Sequence, residues 1–92
     1  MNYNADYAAT ARDKLLRLPV VLASRIYESI EVLCSKPSEV SRPSGFPHPP
    51  RFQLYETWIE HDGTRYFLKV FFQYAQNEET LWIEDIVVMA IS

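Results

Sequence analysis

Residues 61 to 74, HDGTRYFLKVFFQY, combine cationic and aromatic side chains at a spacing of two. Side chains along a β-strand alternate between the two faces of a sheet. One face of this segment is therefore formed by Arg65, Phe67, Lys69, Phe71 and Gln73. The opposite face is apolar and is predicted to join the core; it is formed by Tyr66, Leu68, Val70, Phe72 and Tyr74.

The mixed face has two kinds of chemistry available to it. Exposed aromatic rings beside cations are suited to stacking on nucleic-acid bases or to binding an apolar partner segment. We predict a partner-binding surface formed by Arg65, Phe67, Lys69, Phe71 and Gln73. In the alternative, the long loop, the N-terminal arm or a second copy of the chain covers the two phenylalanines.

Other catalytic and cofactor chemistry has little support in the sequence. Gly45 and Gly63 stand alone, so no phosphate-binding glycine loop is present. Cys34, His48 and His61 are not clustered as metal ligands are, and we expect no metal and no cofactor. As the sole cysteine, Cys34 cannot form an internal disulfide, which agrees with a reducing compartment.

Size and charge restrict the possible functions further. The 92 residues predict a single domain spanning residues 1–92. No apolar run approaches the roughly 20 residues that cross a bilayer, and we expect a cytoplasmic protein with no membrane partner. Residues 52 to 92 contain two basic and seven acidic side chains. Such an acidic sheet disfavours general binding of nucleic acid, because phosphate neutralisation supplies much of that affinity.

The pattern of elements predicts an α+β fold. Helices are predicted over 5–18 and 19–35, joined at Leu18-Pro19, and residues 2–4 form a short strand or an extended arm. The segment 36–51 holds five of the six prolines and is expected to lack regular structure, either as a crossover or as a clamp on a partner. Strands are predicted over 52–60, 65–74 and 81–91, with a hairpin turn at Asp62-Gly63. The expected architecture is an N-terminal two-helix hairpin packed on one face of a three- to four-stranded antiparallel sheet.

The segment LPVVLASRIYESIEVLCSKP has the form Leu-Pro, five residues, Arg-Ile, three residues, Ile, two residues, Leu, and then Pro. This pattern resembles the helix hairpin of toxins of the RelE/ParE superfamily. Gly63, Arg65 and the apolar run that ends at Tyr74 resemble the central strand of that family. The order of elements agrees with it over nearly the whole chain.

The resemblance implies a toxin-like component of a type II toxin–antitoxin system, with an antitoxin-like protein segment as partner. Toxins of the RelE kind cleave mRNA on the ribosome, whereas those of the ParE kind poison DNA gyrase. Under the resemblance, Arg65, Lys69 and Arg51 are the candidate catalytic residues of an mRNA endoribonuclease. The last strand ends in DIVVMAIS, without the basic pair and tyrosine usual in the family. We therefore favour a toxin-like or degenerate protein that acts by binding; the alternatives are the endoribonuclease and a small homodimeric interaction domain.

Overall fold

The structure, a computed structural model, describes residues 2–91 and consists of three helices and one five-stranded sheet. The elements in chain order are β1 (Asn4–Tyr7), α1 (Ala9–Leu16), α2 (Val20–Ser35), α3 (Pro37–Val40), β2 (Ser41–Pro43), β3 (Gln53–His61), β4 (Thr64–Tyr74) and β5 (Thr80–Ile91). The spatial order of the strands is β1-β5-β4-β3-β2. β1 is parallel to β5 and the other pairs are antiparallel. The predicted α+β fold is confirmed, but the sheet has one strand more than the upper prediction and is mixed.

The N-terminal strand shortens the first helix relative to its predicted range of 5–18. Asn4 to Tyr7 pair with Thr80 to Ile83, and the Ala8 N–H donates to the Ile83 carbonyl. The helix therefore begins only at Ala9. Helix periodicity in this segment is overridden by backbone hydrogen bonds to β5, a distant partner that local propensity does not report.

The second helix matches its prediction to within one residue. Leu22, Ile26, Ile30 and Leu33 form the predicted apolar stripe and are at most 3% exposed. Pro19 lies just before the helix. An N–H at this position would have no partner within the helix, so its absence in proline costs no hydrogen bond. The stripe packs on the sheet side chains that alternate toward the helices, and this contact forms the core.

The prediction that residues 36–51 contain no regular structure is wrong for the first half of the segment. Residues 37–40 form the short helix α3, and residues 41–43 form the edge strand β2. Pro37 is tolerated because it occupies the first turn of its helix. Pro43 is tolerated because it ends a strand at the edge of the sheet, where an absent N–H interrupts no ladder.

The hairpin between β3 and β4 fixes which residues share a face. Its two central residues, Asp62 and Gly63, have φ values of 52° and 76°, as a hairpin turn with two left-handed residues requires. The register pairs His61 with Thr64 and continues without interruption to Gln53 opposite Phe72. Residues that pair directly across β3 and β4 therefore point to the same face of the sheet, so the predicted alternation of β4 also assigns the faces of β3.

None of the helices within residues 2–91 combines the length and apolar character needed to span a membrane.

Candidate functional site: the open face of the sheet

The sheet has one face packed against the helices and one face that carries no helix. We call the second one the open face. The register places its central side chains on three strands: Glu56, Trp58 and Glu60 on β3; Arg65, Phe67 and Lys69 on β4; and Val87, Met89 and Ile91 on β5. The sequence prediction named only the β4 members of this set.

Two aromatic rings and a guanidinium form the centre of the open face. Trp58 and Phe67 are cross-strand partners, and their ring centroids lie 4.8 Å apart. The guanidinium of Arg65 lies over the Trp58 ring, 4.5 Å from its centroid, in cation–π geometry. Trp58 is 49% exposed although the Phe67 ring and the Arg65 guanidinium both lie against it. The result is an ordered, half-exposed aromatic surface beside a cation.

Each cation of the open face has a carboxylate close to it in the sheet. Glu60 is the cross-strand partner of Arg65, and Glu56 is the cross-strand partner of Lys69. Arg42 of β2 also reaches this surface, and its Nη2 atom lies 2.7 Å from Oε1 of Glu56. These three cations and two carboxylates give the centre of the open face a formal charge of only +1.

The long loop covers one end of the predicted surface. The His48 ring lies 4.5 Å from the Phe71 ring and is stacked on Phe52 with centroids 6.0 Å apart. Phe71 is only 9% exposed as a result. The two predicted alternatives, an exposed binding surface and coverage by the loop, thus each apply to one phenylalanine. The loop covers Phe71, whereas Phe67 remains part of the half-exposed surface.

Gln73 lies beyond Phe71 and is engaged within the protein. Its Nε2 atom donates to Oε2 of Glu84. A β-bulge lies in β5 beside this position. Phe71 pairs with Asp85 whereas Phe72 pairs with Ile83, so Glu84 is the extra residue. The bulge leaves Glu84 without a cross-strand partner on β4, and Gln73 serves as its hydrogen-bond donor instead.

Arg51, the third cation given a catalytic role by the resemblance, lies outside this cluster of contacts. It is exposed in the turn that precedes β3 and forms no ion pair with any residue in the described range. Arg65 and Lys69, in contrast, share one face of β4. The predicted trio thus consists of two neighbours on a strand and one separate loop residue.

Trp58, Glu56, Glu60 and Arg42 are members of the surface that sequence reasoning missed. Three of them could have been found by counting outward from the Asp62-Gly63 turn, since a two-residue hairpin pairs residues at equal distances from its turn. That count pairs Glu60 with Arg65, Trp58 with Phe67 and Glu56 with Lys69. Arg42 had no such signal, because β2 was not predicted.

Groups with perturbed pKa values lie on the helix-facing side of the molecule. Burial raises the pKa of Tyr7, and the neighbouring Tyr27 raises it further. Burial also raises the pKa of the Cys34 thiol, with a smaller contribution from Glu31, and the pKa of Tyr55. These groups stay protonated at neutral pH and offer neither a nucleophile nor a general base. Within residues 2–91, no three His, Cys, Asp or Glu side chains are grouped as a metal site would require.

Two solved structures have a similar fold over nearly the whole chain. The toxin–antitoxin complex RelBE2 of Mycobacterium tuberculosis contains a chain that matches with a TM-score of 0.70 and 18% identity, covering 99% of this chain and 100% of that one. A double arginine-to-alanine mutant of the Escherichia coli toxin RelE in the free state matches with a TM-score of 0.65 and 13% identity, covering 94% and 82%. No protein-family model and no curated protein matches the chain.

This similarity extends over the whole described chain and defines the fold as RelE-like. The fold resemblance noted in the helix hairpin and the central strand is confirmed.

Proposed function

We propose that this protein is a toxin-like component of a type II toxin–antitoxin system, working in the cytoplasm, and that it acts by binding protein through its open face. The observation that carries the proposal is the Arg65–Trp58–Phe67 cluster on a RelE-like sheet. Tryptophan and arginine are the residues that most often dominate the affinity of protein interfaces. A half-exposed aromatic pair bordered by charges of both signs matches the usual anatomy of such an interface.

Charge balance favours a protein partner over RNA. A phosphate backbone approaching Lys69 meets Glu56 directly opposite, and one approaching Arg65 meets Glu60. Binding of nucleic acid requires uncompensated cations, because its affinity derives largely from counterion release. A polypeptide that carries both signs of charge can satisfy the same pattern.

The natural partner that we propose is an antitoxin-like segment lying across the open face. The RelBE2 structure is a complex between a toxin and its antitoxin. A matching segment would place an apolar or aromatic side chain against Trp58 and Phe67. It would place a carboxylate at Arg65 and a basic group at Glu60, so that the interface leaves no buried charge unpaired.

A second candidate is cleavage of mRNA by Arg65, Lys69 and Arg51. The position of Glu56 opposite Lys69 favours it, because a carboxylate beside a cation could serve as a general base. The Arg42–Glu56 ion pair weighs against it, since the Arg42 guanidinium already contacts one of the carboxylate oxygens that would have to accept the proton. DNA gyrase, as a protein target, is compatible with action by binding.

A suppressor selection tests the binding proposal. The protein is expressed in Escherichia coli together with a library of fragments from its source genome, and fragments that restore growth are recovered. Their products are then titrated calorimetrically against the purified protein. We expect the triple variant R65A/F67A/K69A to lose binding by at least about tenfold, since anchor residues each contribute above about 1 kcal/mol.

The control for this titration is Arg12→Ala. Arg12 is an exposed cation on α1, which packs on the opposite face of the sheet. Equal affinity of the wild-type protein and the triple variant for a suppressor would exclude the open face as the binding surface.

A further inference from the structure

The outer edge of β5 is paired over only part of its length. β1 covers Thr80 to Ile83, whereas β4 pairs with β5 up to Ile91 on the other side. In the described part of the chain, no strand lies beside the outer edge from Glu84 to Ile91. Unpaired backbone groups along a strand edge are a template for pairing with another chain.

The first outward-facing residue of this edge is satisfied within the molecule. The Ile86 N–H donates to Oδ1 of Asp85 at 2.9 Å, and the Ile86 carbonyl accepts from Nζ of Lys14 at 3.0 Å. Lys14 and Asp85 also form an ion pair of 2.8 Å. The two side chains therefore stand in for a neighbouring strand at Ile86. Because outward backbone groups alternate along a strand, Val88 and Ala90 present the next N–H and C=O groups on this side.

The edge beyond Ile86 lacks the usual protection against pairing. Residues 86 to 91 contain no charged residue, no proline and no bulge, whereas edge strands in natural proteins generally carry one of these. The opposite side of the sheet does carry such protection, because β2 covers Gln53 to Tyr55 and charged Glu56 and Glu60 follow. Met89 and Ile91 are 40% and 44% exposed.

We propose that β5 pairs antiparallel with β5 of a second copy of this chain, around a two-fold axis at Met89. In this register Val88 lies opposite Ala90 of the other copy, and each such pair exchanges two backbone hydrogen bonds. Met89 faces its own counterpart on the open side of the sheet. On the same side, Val87 lies opposite Ile91 of the second copy. The two five-stranded sheets then form one continuous sheet across the dimer.

Self-pairing fits the charges around the edge. The paired segment is neutral, so a second copy meets no like charge along it. Lys14 and Arg17 border the groove at Ile86 to Val88. In the proposed register the two Ile86 positions lie about 20 Å apart along the strands, given roughly 3.3 Å per residue. The basic side chains of one copy are thus kept away from those of the other.

Charge substitution at Met89 tests the register. The wild-type protein should be a dimer in sedimentation velocity measurements and should dissociate on dilution. Met89→Lys and Met89→Glu should each be monomeric alone, because like charges then face each other across the axis. An equal mixture of the two variants should regain the dimer, since a surface contact elsewhere could not produce that rescue.

Ala90→Pro provides a second variant that preserves the fold. Because the outward backbone groups alternate from Ile86, the Ala90 N–H points outward, and proline there removes one intermolecular donor without breaking the ladder to β4. It should weaken the dimer at least tenfold, while Val20→Lys, at a position 81% exposed on α2, should leave the dimer intact. Circular dichroism verifies that each variant is folded. A wild-type monomer from micromolar to millimolar concentration would overturn the proposal, as would a dimer unaffected by Ala90→Pro.

Discussion

The guanidinium of Arg65 lies 4.5 Å from the centroid of the Trp58 ring, one strand away and diagonal to it in the hairpin register. This contact orients both side chains of the open face before any partner is present. A surface ordered in advance loses less conformational entropy on binding. The relationship between these two residues is therefore the structural basis of the proposed interaction surface.

Removing the guanidinium should alter Trp58 without unfolding the protein. We expect Arg65→Ala to change the intensity of Trp58 fluorescence and to lower the free energy of unfolding by less than about 1 kcal/mol, as exposed cation–π contacts contribute little. Emission spectra and urea titration measure the two effects. Trp82→Phe in both proteins removes the second tryptophan signal. Unchanged emission in that background would contradict the contact.

Substitutions of two phenylalanines on opposite faces of β4 should differ sharply in their effect on the free energy of unfolding. Phe72 is 0% exposed in the core, whereas Phe67 lies half-buried on the open face. We expect Phe72→Ala to cost about 3–5 kcal/mol through lost burial and cavity formation, and to leave a domain of this size marginally folded. Phe67→Ala should cost clearly less. Urea titrations measure both changes. An equal loss of unfolding free energy in the two variants would mean that the assignment of the sheet faces is wrong.

The His48 ring should hold the long loop against the sheet. It contacts Phe71 and Phe52, and aromatic pairs of this kind contribute about 0.5–1.5 kcal/mol beyond burial. We expect His48→Ala to speed amide hydrogen exchange in residues 44–52 while the rest of the sheet stays protected. His61→Ala, at the end of β3, is the matched control and should leave that loop unchanged.

Alkaline pH should destabilise the protein through Tyr7. Burial and the neighbouring Tyr27 raise the pKa of Tyr7 above its ordinary value of 10.0, so the folded state binds this proton more tightly than the unfolded state does. The contribution of the protonated Tyr7 to the free energy of unfolding is therefore complete below pH 10, and it is lost as the pH rises above 10. Tyr7→Phe keeps the ring contact with Tyr27 and removes the ionisation. Its unfolding free energy should fall less steeply above pH 10, and parallel slopes would refute the effect.

The sequence predicted the fold best where local pattern and tertiary contacts agree. The Leu22, Ile26, Ile30 and Leu33 stripe and the Asp62-Gly63 turn each specify an element without knowledge of the rest of the chain. Predictions failed where a distant strand decides local structure. β1 depends on pairing with β5, some 76 residues away in sequence, and β2 on pairing with β3.

The candidate site was predicted in part for the same reason. Alternation within β4 gave Arg65, Phe67 and Lys69, but it contained no information about the strands on either side. Trp58 and Glu56 follow only when the hairpin register is applied across β3. Coverage of Phe71 by His48 depends on the path of a proline-rich loop, for which the sequence carries no periodic signal.

Induced expression in Escherichia coli asks whether the protein arrests growth, and whether it does so by binding and not by cleaving mRNA. Growth is followed together with the integrity of total mRNA, for the wild-type protein, the triple variant R65A/F67A/K69A and the control Arg12→Ala. We expect the wild-type protein and Arg12→Ala to arrest growth with intact transcripts, and cells that express the folded triple variant to grow normally. Cleaved transcripts during arrest would contradict action by binding, and unimpaired growth with the wild-type protein would contradict a toxin-like function.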